Sequence, residues 1–212
     1  MDTVTTARSE MRRESARRIG AQYFESRVIS RALALFRATL FLASFGYSSA
    51  FAQQSHPTES QVKAAYLYNF GKFVRWQTDR VVRPDLLICV LGKDPFGPVL
   101  DSTVEGESID GRKLSVRRIE KVQDASPCSI LFISSSEEDQ LAPILASAQR
   151  FGALTVSDIP RFAERGGIIG FVLQQEKVRF EVNRGAAELA HLSLSSELLK
   201  VASKLFNKVP EN

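Results

Sequence analysis

Few side chains in this chain belong to the types that catalyse reactions or bind metals. The histidines are His56 and His191, and the cysteines are Cys89 and Cys128. A zinc site needs three or four His, Cys or acidic ligands at short spacings, and these four residues do not supply that pattern. We therefore expect no metal site and no catalytic histidine.

Two other patterns resemble functional motifs only superficially. The serine run at 134–136 lies outside any G-x-S-x-G nucleophile elbow. The segment from Gly92 to Gly97 has the G-x-x-x-x-G spacing of a phosphate loop, but Pro98 follows where the motif requires lysine. We expect no catalytic residue and no nucleotide or other cofactor.

A group of polar residues follows the apolar segments that we predict to be parallel strands. Ligands of α/β sheets bind at the carboxyl edge of such strands, where these loops would meet. Two interpretations stay open. Either these residues form ligand- or partner-binding loops, or they are ordinary turn residues. The residues are Lys93, Asp94, Ser134, Ser135, Ser136 and Asp158.

Several strands and helices are predicted to position these loops. The apolar runs Leu86–Gly92 and Ser129–Ser135 are typical of buried strands, and Ala153–Asp158 predicts a third, short strand. Arg112–Ile119 predicts a more exposed strand with Leu114, Val116 and Arg118 on one face. Ile168–Asn183 predicts a hairpin that turns at Gln174–Glu176.

Helix signals alternate with the strands. Thr58 and Gln61 form a capping box that opens a helix reaching Trp76. Further helices are predicted from Gly97 to Thr103, from Ser136 through Ala148, at Pro160 and Phe162, and from Arg184 to Ala190 with Asn183 as cap. Ser195 caps the last helix, whose apolar stripe comprises Leu198, Leu199, Ala202 and Leu205.

This alternation predicts an α/β fold with a single domain over residues 58–208. Its architecture is a three-layer sandwich, in which helices cover both faces of a mostly parallel, mixed sheet that includes a C-terminal hairpin. Tyr66, Phe70 and Phe73 follow helical spacing on the first helix. They are interpreted either as core residues or as a stripe that faces a partner or a second copy.

The first 52 residues have the features of a secretory signal peptide. Arginines precede the apolar segment Ala38–Gly46, and an A-x-A cleavage pattern ends at Ala52. A membrane anchor is the alternative, but a spanning helix needs about 20 apolar residues, and Arg37 limits the apolar run. We predict a signal peptide over residues 1–52 that is cleaved after Ala52, a flexible tail over 53–57, and no direct membrane insertion after cleavage.

The net charge of the chain belongs to this leader. The first 52 residues contain eight basic and four acidic residues, while the remainder contains 20 of each and is formally neutral. A neutral domain with interspersed charges lacks the basic surface that follows a phosphate backbone. We therefore expect no nucleic-acid partner.

Cys89 and Cys128 both lie in the exported part. An even cysteine count in an oxidising compartment predicts a disulfide between them. A free buried pair is the alternative, because cysteine also packs as a small apolar residue. A catalytic redox pair is disfavoured, since the two residues do not form C-x-x-C.

An ordered set of segments between Gln61 and Leu205 resembles the YfiR family of periplasmic proteins. The segments are VKAAYLYNFGKFVRW, LLICVLGKDPFG, CSILFISSSE, ALTVSD, FAERGGIIGFVL, VRFEVN and LSSELLKVA. The resemblance implies a non-enzymatic periplasmic regulator that restrains an inner-membrane diguanylate cyclase, or another membrane signalling protein, and so lowers cyclic di-GMP and biofilm formation. Similar domains also occur as sensory modules.

The resemblance also implies a redox-sensitive homodimer. Cys89 and Cys128 match a cysteine pair of the family, whereas a second, closely spaced pair that some members have is absent here. Two function classes thus remain open. One is the regulator that binds a membrane partner, and the other is a periplasmic ligand-binding or enzymatic domain that uses the loop cluster.

Overall fold

The computed structural model describes residues 57–76 and 85–207. The predicted leader over residues 1–52, its cleavage site after Ala52 and residues 53–56 lie outside this range, as does position 208. The helices are α1 Glu59–Phe73, α2 Pro98–Val104, α3 Leu141–Phe151, α4 Arg184–Leu189 and α5 Ser196–Val201. The strands are β1 Val74–Trp76, β2 Leu86–Leu91, β3 Ser108–Ile109, β4 Arg112–Ile119, β5 Ile130–Ile133, β6 Leu154–Ser157, β7 Ile169–Gln174, β8 Lys177–Asn183, β9 Leu192–Leu194 and β10 Lys204–Phe206.

Helix α1 begins at the predicted capping box. The Thr58 side chain accepts a hydrogen bond from the Gln61 backbone N–H at 3.3 Å, and the Thr58 N–H donates to Gln61 Oε1 at 2.8 Å. The prediction that this helix reaches Trp76 is wrong. Residues 74–76 are extended and pair antiparallel with 192–194, so a strand that is distant in sequence satisfies their backbone groups.

The main sheet has eight strands in the order β10-β8-β7-β6-β5-β2-β4-β3. β2 pairs in parallel with β4 and β5, and β5, β6 and β7 continue the parallel ladder. β8 is antiparallel to β7, and β3 is antiparallel to β4. The predicted mostly parallel, mixed sheet is therefore confirmed.

Alternating side chains of the central strands build two hydrophobic cores. Ile88 and Val90 face a core that includes residues of α1, α2, α4 and α5. Cys89 and Leu91 face a second core that includes residues of α3. Successive side chains of a strand point to opposite faces, so both faces of the sheet are covered. This arrangement confirms the three-layer α/β sandwich as a single-domain fold.

A tight turn connects β7 and β8. Gln175 and Glu176 have φ values of 50° and 60°, and two such residues in succession produce a hairpin turn that matches the twist of the strands. The hairpin prediction is confirmed. After β8, the buried Asn183 accepts a hydrogen bond from the Ala186 N–H at 3.2 Å and donates to the Ala163 carbonyl at 2.9 Å. It caps α4, as predicted.

The segment after β5 begins differently from the prediction. Ser134, rather than Ser136, is the N-cap residue, and it precedes a 3-10 helix over Ser135–Gln140. The α-helix starts only at Leu141. Pro143 lies within the first turn of α3, where the absence of a backbone N–H costs no intrahelical hydrogen bond.

Two further local predictions are wrong. The segment containing Pro160 and Phe162 forms turns and no helix, because Arg161 has a φ of 58°, which a right-handed helix does not accommodate. Leu205 is not on the stripe of the last helix. It lies in β10 and is 47% exposed, since that helix ends at Val201 and the chain then pairs with β8.

The predicted disulfide joins Cys89 of β2 to Cys128, which lies just before β5. Their Cα atoms are 5.8 Å apart, within the usual range for a disulfide. Both residues are fully buried against the core beside α3. The bridge therefore ties two neighbouring strands together inside the protein.

Candidate functional site

The loops after β2 and β5 are in direct contact at the carboxyl edge of the sheet. The Lys93 backbone N–H donates to Ser136 Oγ at 3.0 Å, and that hydroxyl donates to Glu137 Oε1 at 2.9 Å. The side chains of Lys93, Ser135 and Ser136 are at the surface. The structure thus brings Lys93 together with the serine loop, as parallel strands require.

Gly92 makes the close approach of these two loops possible. Its φ is 83°, and a Cβ atom at this position would lie 2.4 Å from both Ser136 Oγ and Glu137 Oε1. The Gly92 N–H donates to the Ile119 carbonyl at 3.2 Å. Only glycine combines this backbone conformation with the space that the serine loop occupies.

Ser134 has a structural position within the same loop. It is buried, its N–H donates to the Leu91 carbonyl at 3.0 Å, and its hydroxyl accepts from the Ser136 N–H at 3.4 Å. Its hydroxyl thus caps the 3-10 helix. The surface that this loop offers to another molecule comes from Ser135 and Ser136.

Asp94 belongs to an ion-pair network centred on Arg118 of β4. The Arg118 guanidinium donates to Asp94 Oδ2 at 2.9 Å, to Asp101 at 2.7 and 2.5 Å, and to the Gly97 carbonyl at 2.7 Å. The other oxygen of Asp94 accepts from the Phe96 N–H at 2.7 Å. This carboxylate therefore holds the loop between β2 and α2 in place.

The electrostatics of this network favour the charged forms. The hydrogen bond from Arg118 lowers the pKa of the Asp101 carboxyl below its ordinary value. The same hydrogen bond, followed by that to Asp94, raises the pKa of the Arg118 guanidinium further. Because Arg118 is only partly buried, solvent screening limits what the network adds to stability.

Asp158 forms a second network with the first helix. The Lys63 ammonium lies 2.6 Å from Asp158 Oδ2 and 2.6 Å from Glu59 Oε1, and its side chain is 10% exposed. Burial by itself acts to lower the pKa of Lys63, but the hydrogen bonds and charges of the two carboxylates outweigh it, so the pKa is raised. The ammonium also lies 5.9 Å from the centre of the Phe171 ring.

The six predicted residues therefore divide between three local structures. Lys93 and the serine loop form one contact, Asp94 belongs to the Arg118 network, and Asp158 pairs with Lys63. Their polar groups are used largely for holding loops and α1 against the sheet. The arrangement can present a hydrogen-bonding surface, and it holds neither a charge relay nor a nucleophile activated by histidine among residues 57–76 and 85–207.

The sequence interpretation missed Lys63 and Glu59, and it did not assign a partner to Arg118. A usable signal exists for Lys63, because Leu67 and Phe70 follow it at helical spacing and are core residues. A lysine on a buried stripe requires an acidic partner. Arg118 likewise occupies the face of β4 shared with Leu114.

The aromatic residues of α1 are mostly core residues. Phe70 is buried, and Tyr66 lies 5.8 Å from it in a stacked arrangement and 5.4 Å from Phe180 edge-on. Phe73, by contrast, is 37% exposed at the end of the helix. Of the three aromatic residues proposed for a partner-facing stripe, only Phe73 is a large hydrophobic side chain exposed at the surface.

Two kinds of feature concern all of the described residues, namely metal-binding clusters and membrane-spanning helices. In the two described stretches, no group of three or more His, Cys, Asp or Glu side chains could hold a metal ion. Within the same stretches, no helix has the length and apolar character needed to cross a membrane. His191 lies after α4 with a φ of 57° and is exposed.

Two solved structures show distant similarity to this chain. A conserved domain protein from Vibrio cholerae shares 11% identity, with 70% of this chain and 60% of that chain covered and a TM-score of 0.49. An ABC domain in complex with L-Trp from Streptococcus pneumonia shares 10% identity, with coverages of 68% and 60% and a TM-score of 0.46. This chain thus spans 60% of each of those chains.

Among curated proteins, none matches this sequence. The family comparison is more informative, because one family matches most of the chain. Residues 60–203, which include all five helices except the first residue of α1, match the family described as DUF4154, YfiR/HmsC-like. The chain therefore belongs to the YfiR/HmsC-like family.

Proposed function

We propose that this protein is a non-enzymatic periplasmic regulator. It binds the periplasmic part of an inner-membrane diguanylate cyclase, or of a related membrane signalling protein, and inhibits it. Lower cyclic di-GMP and reduced biofilm formation follow from this inhibition. The protein acts as a homodimer after its signal peptide has been removed.

The family match over residues 60–203 is the observation that carries this proposal. It spans the folded domain, so the resemblance concerns the whole arrangement of loops and helices and not one short motif. The family suggests regulation of a diguanylate cyclase from the periplasm. Binding and inhibition by this particular chain are the steps that experiments must test.

The state of the polar loops favours a binding surface over a catalytic centre. Asp94 and Asp158 are each held by a basic partner, and Ser134 caps a helix. A small ligand at these loops would have to replace those internal hydrogen bonds. A protein partner needs only the exposed rim of these loops, formed by Lys93, Ser135 and Ser136. This difference favours the regulator over a sensory domain that uses the same loops.

Lys93, Ser135 and Ser136 are the exposed residues of that rim, and we assign the partner contact to them. Their backbones are positioned by the contact between Lys93 and Ser136 and by the cap at Ser134. A rigid rim loses little conformational entropy on binding, which favours association. A lysine at its edge would complement an acidic surface on the partner.

Location supports an indirect mode of action. An exported protein has no access to cytoplasmic cyclic di-GMP, so its influence must pass through a partner that crosses the membrane. The remainder of the chain after residue 52 is formally neutral. This charge balance is consistent with recognition of a protein surface and not of a polyanion.

A deletion strain that contains the membrane cyclase provides the cellular test. Deletion should raise cyclic di-GMP and biofilm mass, and the full-length gene should restore both. A version without residues 2–52 should fail to restore them, because it is not exported. Unchanged cyclic di-GMP after deletion, in cells that express the cyclase, would contradict the regulatory role.

A binding test addresses the rim. The mature protein should co-purify with the cyclase from solubilised membranes, and Lys93→Glu should reduce the retained cyclase at least fivefold. Lys113→Glu is the matched control, because it makes the same charge change at an exposed position at the start of β4. If both variants retained the same amount of cyclase, the partner contact would not lie at the rim. The outcome of the cellular test would not depend on this result.

A further inference from the structure

A cavity of about 300 Å³ lies beside the amino ends of β6 and β7, away from the polar loops. Ala153 and Thr155 line it from the β6 side, and Ile168 lines it just before β7. Helices α3 and α4 form its walls. The volume is at the lower end of the range for pockets that bind small molecules.

Alanines create this space. Ala142 and Ala146 of α3 are exposed at the opening, while Ala186 of α4 and Ala190, which follows that helix, are buried. Larger side chains at these positions would fill the gap between the two helices. Leu145 extends the apolar wall. The interior therefore favours an apolar group, because transfer of apolar surface out of water is favourable.

The polar side chains that line the cavity are Gln149, Thr155 and Arg165, and each has N–H or O–H groups that can donate hydrogen bonds. Thr155 is 3% exposed, and its Oγ1 accepts from the Ile168 N–H at 3.0 Å, which leaves the hydroxyl hydrogen to donate. Of the lining residues, all of which the structure describes, Arg165 alone is charged. It donates through Nη1 to Glu138 at 2.5 Å, and a guanidinium has further N–H groups to offer.

We propose that this cavity binds a small apolar molecule that carries a carboxylate. The apolar part lies between α3 and α4, and the carboxylate accepts hydrogen bonds from the Thr155 hydroxyl and the Arg165 guanidinium. Carboxylates pair favourably with guanidinium groups, and the alanine walls exclude a bulky polar headgroup. The side chains that line this site differ from those of the proposed partner contact, although Arg165 is paired with Glu138 of the 3-10 helix that contains Ser135 and Ser136.

Octanoate is a suitable probe because it combines a short apolar chain with a carboxylate. Octanoate, kept below its micelle concentration, should bind the mature protein saturably at one site in titration calorimetry and should raise the thermal unfolding midpoint. Octylammonium, which has the opposite charge and a similar chain, should bind at least tenfold more weakly. No saturable octanoate binding, or equal binding of both probes, would overturn the proposal.

Two variants locate the site. Ala146→Phe places a ring at the exposed opening and should weaken octanoate binding at least tenfold, whereas Ala65→Phe, at an exposed position on α1, should leave it unchanged. Arg165→Gln should remove the preference for octanoate over octan-1-ol. Unfolding followed by Trp76 fluorescence verifies that each variant is folded. Wild-type affinity in folded Ala146→Phe would refute the location, and an unaltered preference in Arg165→Gln would refute the carboxylate contact.

Discussion

Substitutions in the pair between Lys63 and Asp158 should have unequal effects on stability. The lysine side chain is 10% exposed, whereas Asp158 and Glu59 are 25% and 55% exposed. Asp158→Asn leaves a buried ammonium whose remaining charged partner, among residues 57–76 and 85–207, is Glu59. Lys63→Met leaves two carboxylates that reach water and places an apolar chain near Phe171.

The structure sets the size of the expected difference. Removing one partner from a fully buried pair costs about 3–5 kcal/mol. Glu59 and the amide oxygen of the new asparagine retain part of the interaction, so we expect Asp158→Asn to cost about 1–2 kcal/mol. Lys63→Met should cost less, about 0–1 kcal/mol, because replacement of a buried charge by an apolar group of similar size is often nearly neutral.

Urea unfolding of the mature protein at pH 7 is the appropriate assay. Trp76 is the only tryptophan of the chain and packs against the core, so its fluorescence reports loss of the fold. In the double variant, the cost should equal that of Lys63→Met alone within about 0.5 kcal/mol, because the two residues interact. A larger loss for Lys63→Met than for Asp158→Asn, or additive losses, would refute this reasoning.

Three further predictions concern the disulfide, a glycine and the Arg118 network. Replacing Cys89 and Cys128 together by alanine should lower the free energy of unfolding by about 4 kcal/mol in urea titrations, since the bridge closes a loop with a sequence separation of 39; a loss below about 1 kcal/mol would contradict this. Gly92→Ala should cost about 1–3 kcal/mol by the same measurement, because its φ is 83° and the serine loop occupies the position of the new methyl group; Gly106→Ala, where the space is open, is the control that isolates the backbone term. The lowered pKa of Asp101 contributes stability that is present above its unfolded-state pKa and is lost as pH falls through its folded-state pKa, so Arg118→Leu should remove about 0.5–1 kcal/mol at pH 7 and less as the pH is lowered; a loss that does not change with pH would exclude the ionic contribution.

Local sequence signals predicted those elements whose ends are defined by their own residues. The capping box at Thr58 and the cap at Asn183 both involve side chains that bond to backbone groups three residues away. The hairpin turn depends on two adjacent residues between alternating strands. Such interactions are complete within a few residues, so the pattern alone contains the necessary information.

The errors occur where distant segments compete with the local preference. Residues 74–76 continue a helical pattern, but pairing with β9 makes them a strand. Leu205 continues the stripe of the last helix, but pairing with β8 draws it into β10. In both cases the hydrogen bonds of a ladder outweigh a weak helical propensity.

The sequence by itself determined the fold class, the cysteine pair and the family, because hydrophobic periodicity, residue counts and ordered motifs are properties of the chain alone. It also indicated which loops meet at the carboxyl edge of the sheet. Only the tertiary structure decided which of these polar side chains are paired with other residues of the protein. Lys63 and Asp158 pair although they are 95 positions apart, so no local pattern predicts the contact. The sequence likewise did not predict the alanine-lined cavity. Its volume depends on the distance between two packed helices, which neither helix determines alone.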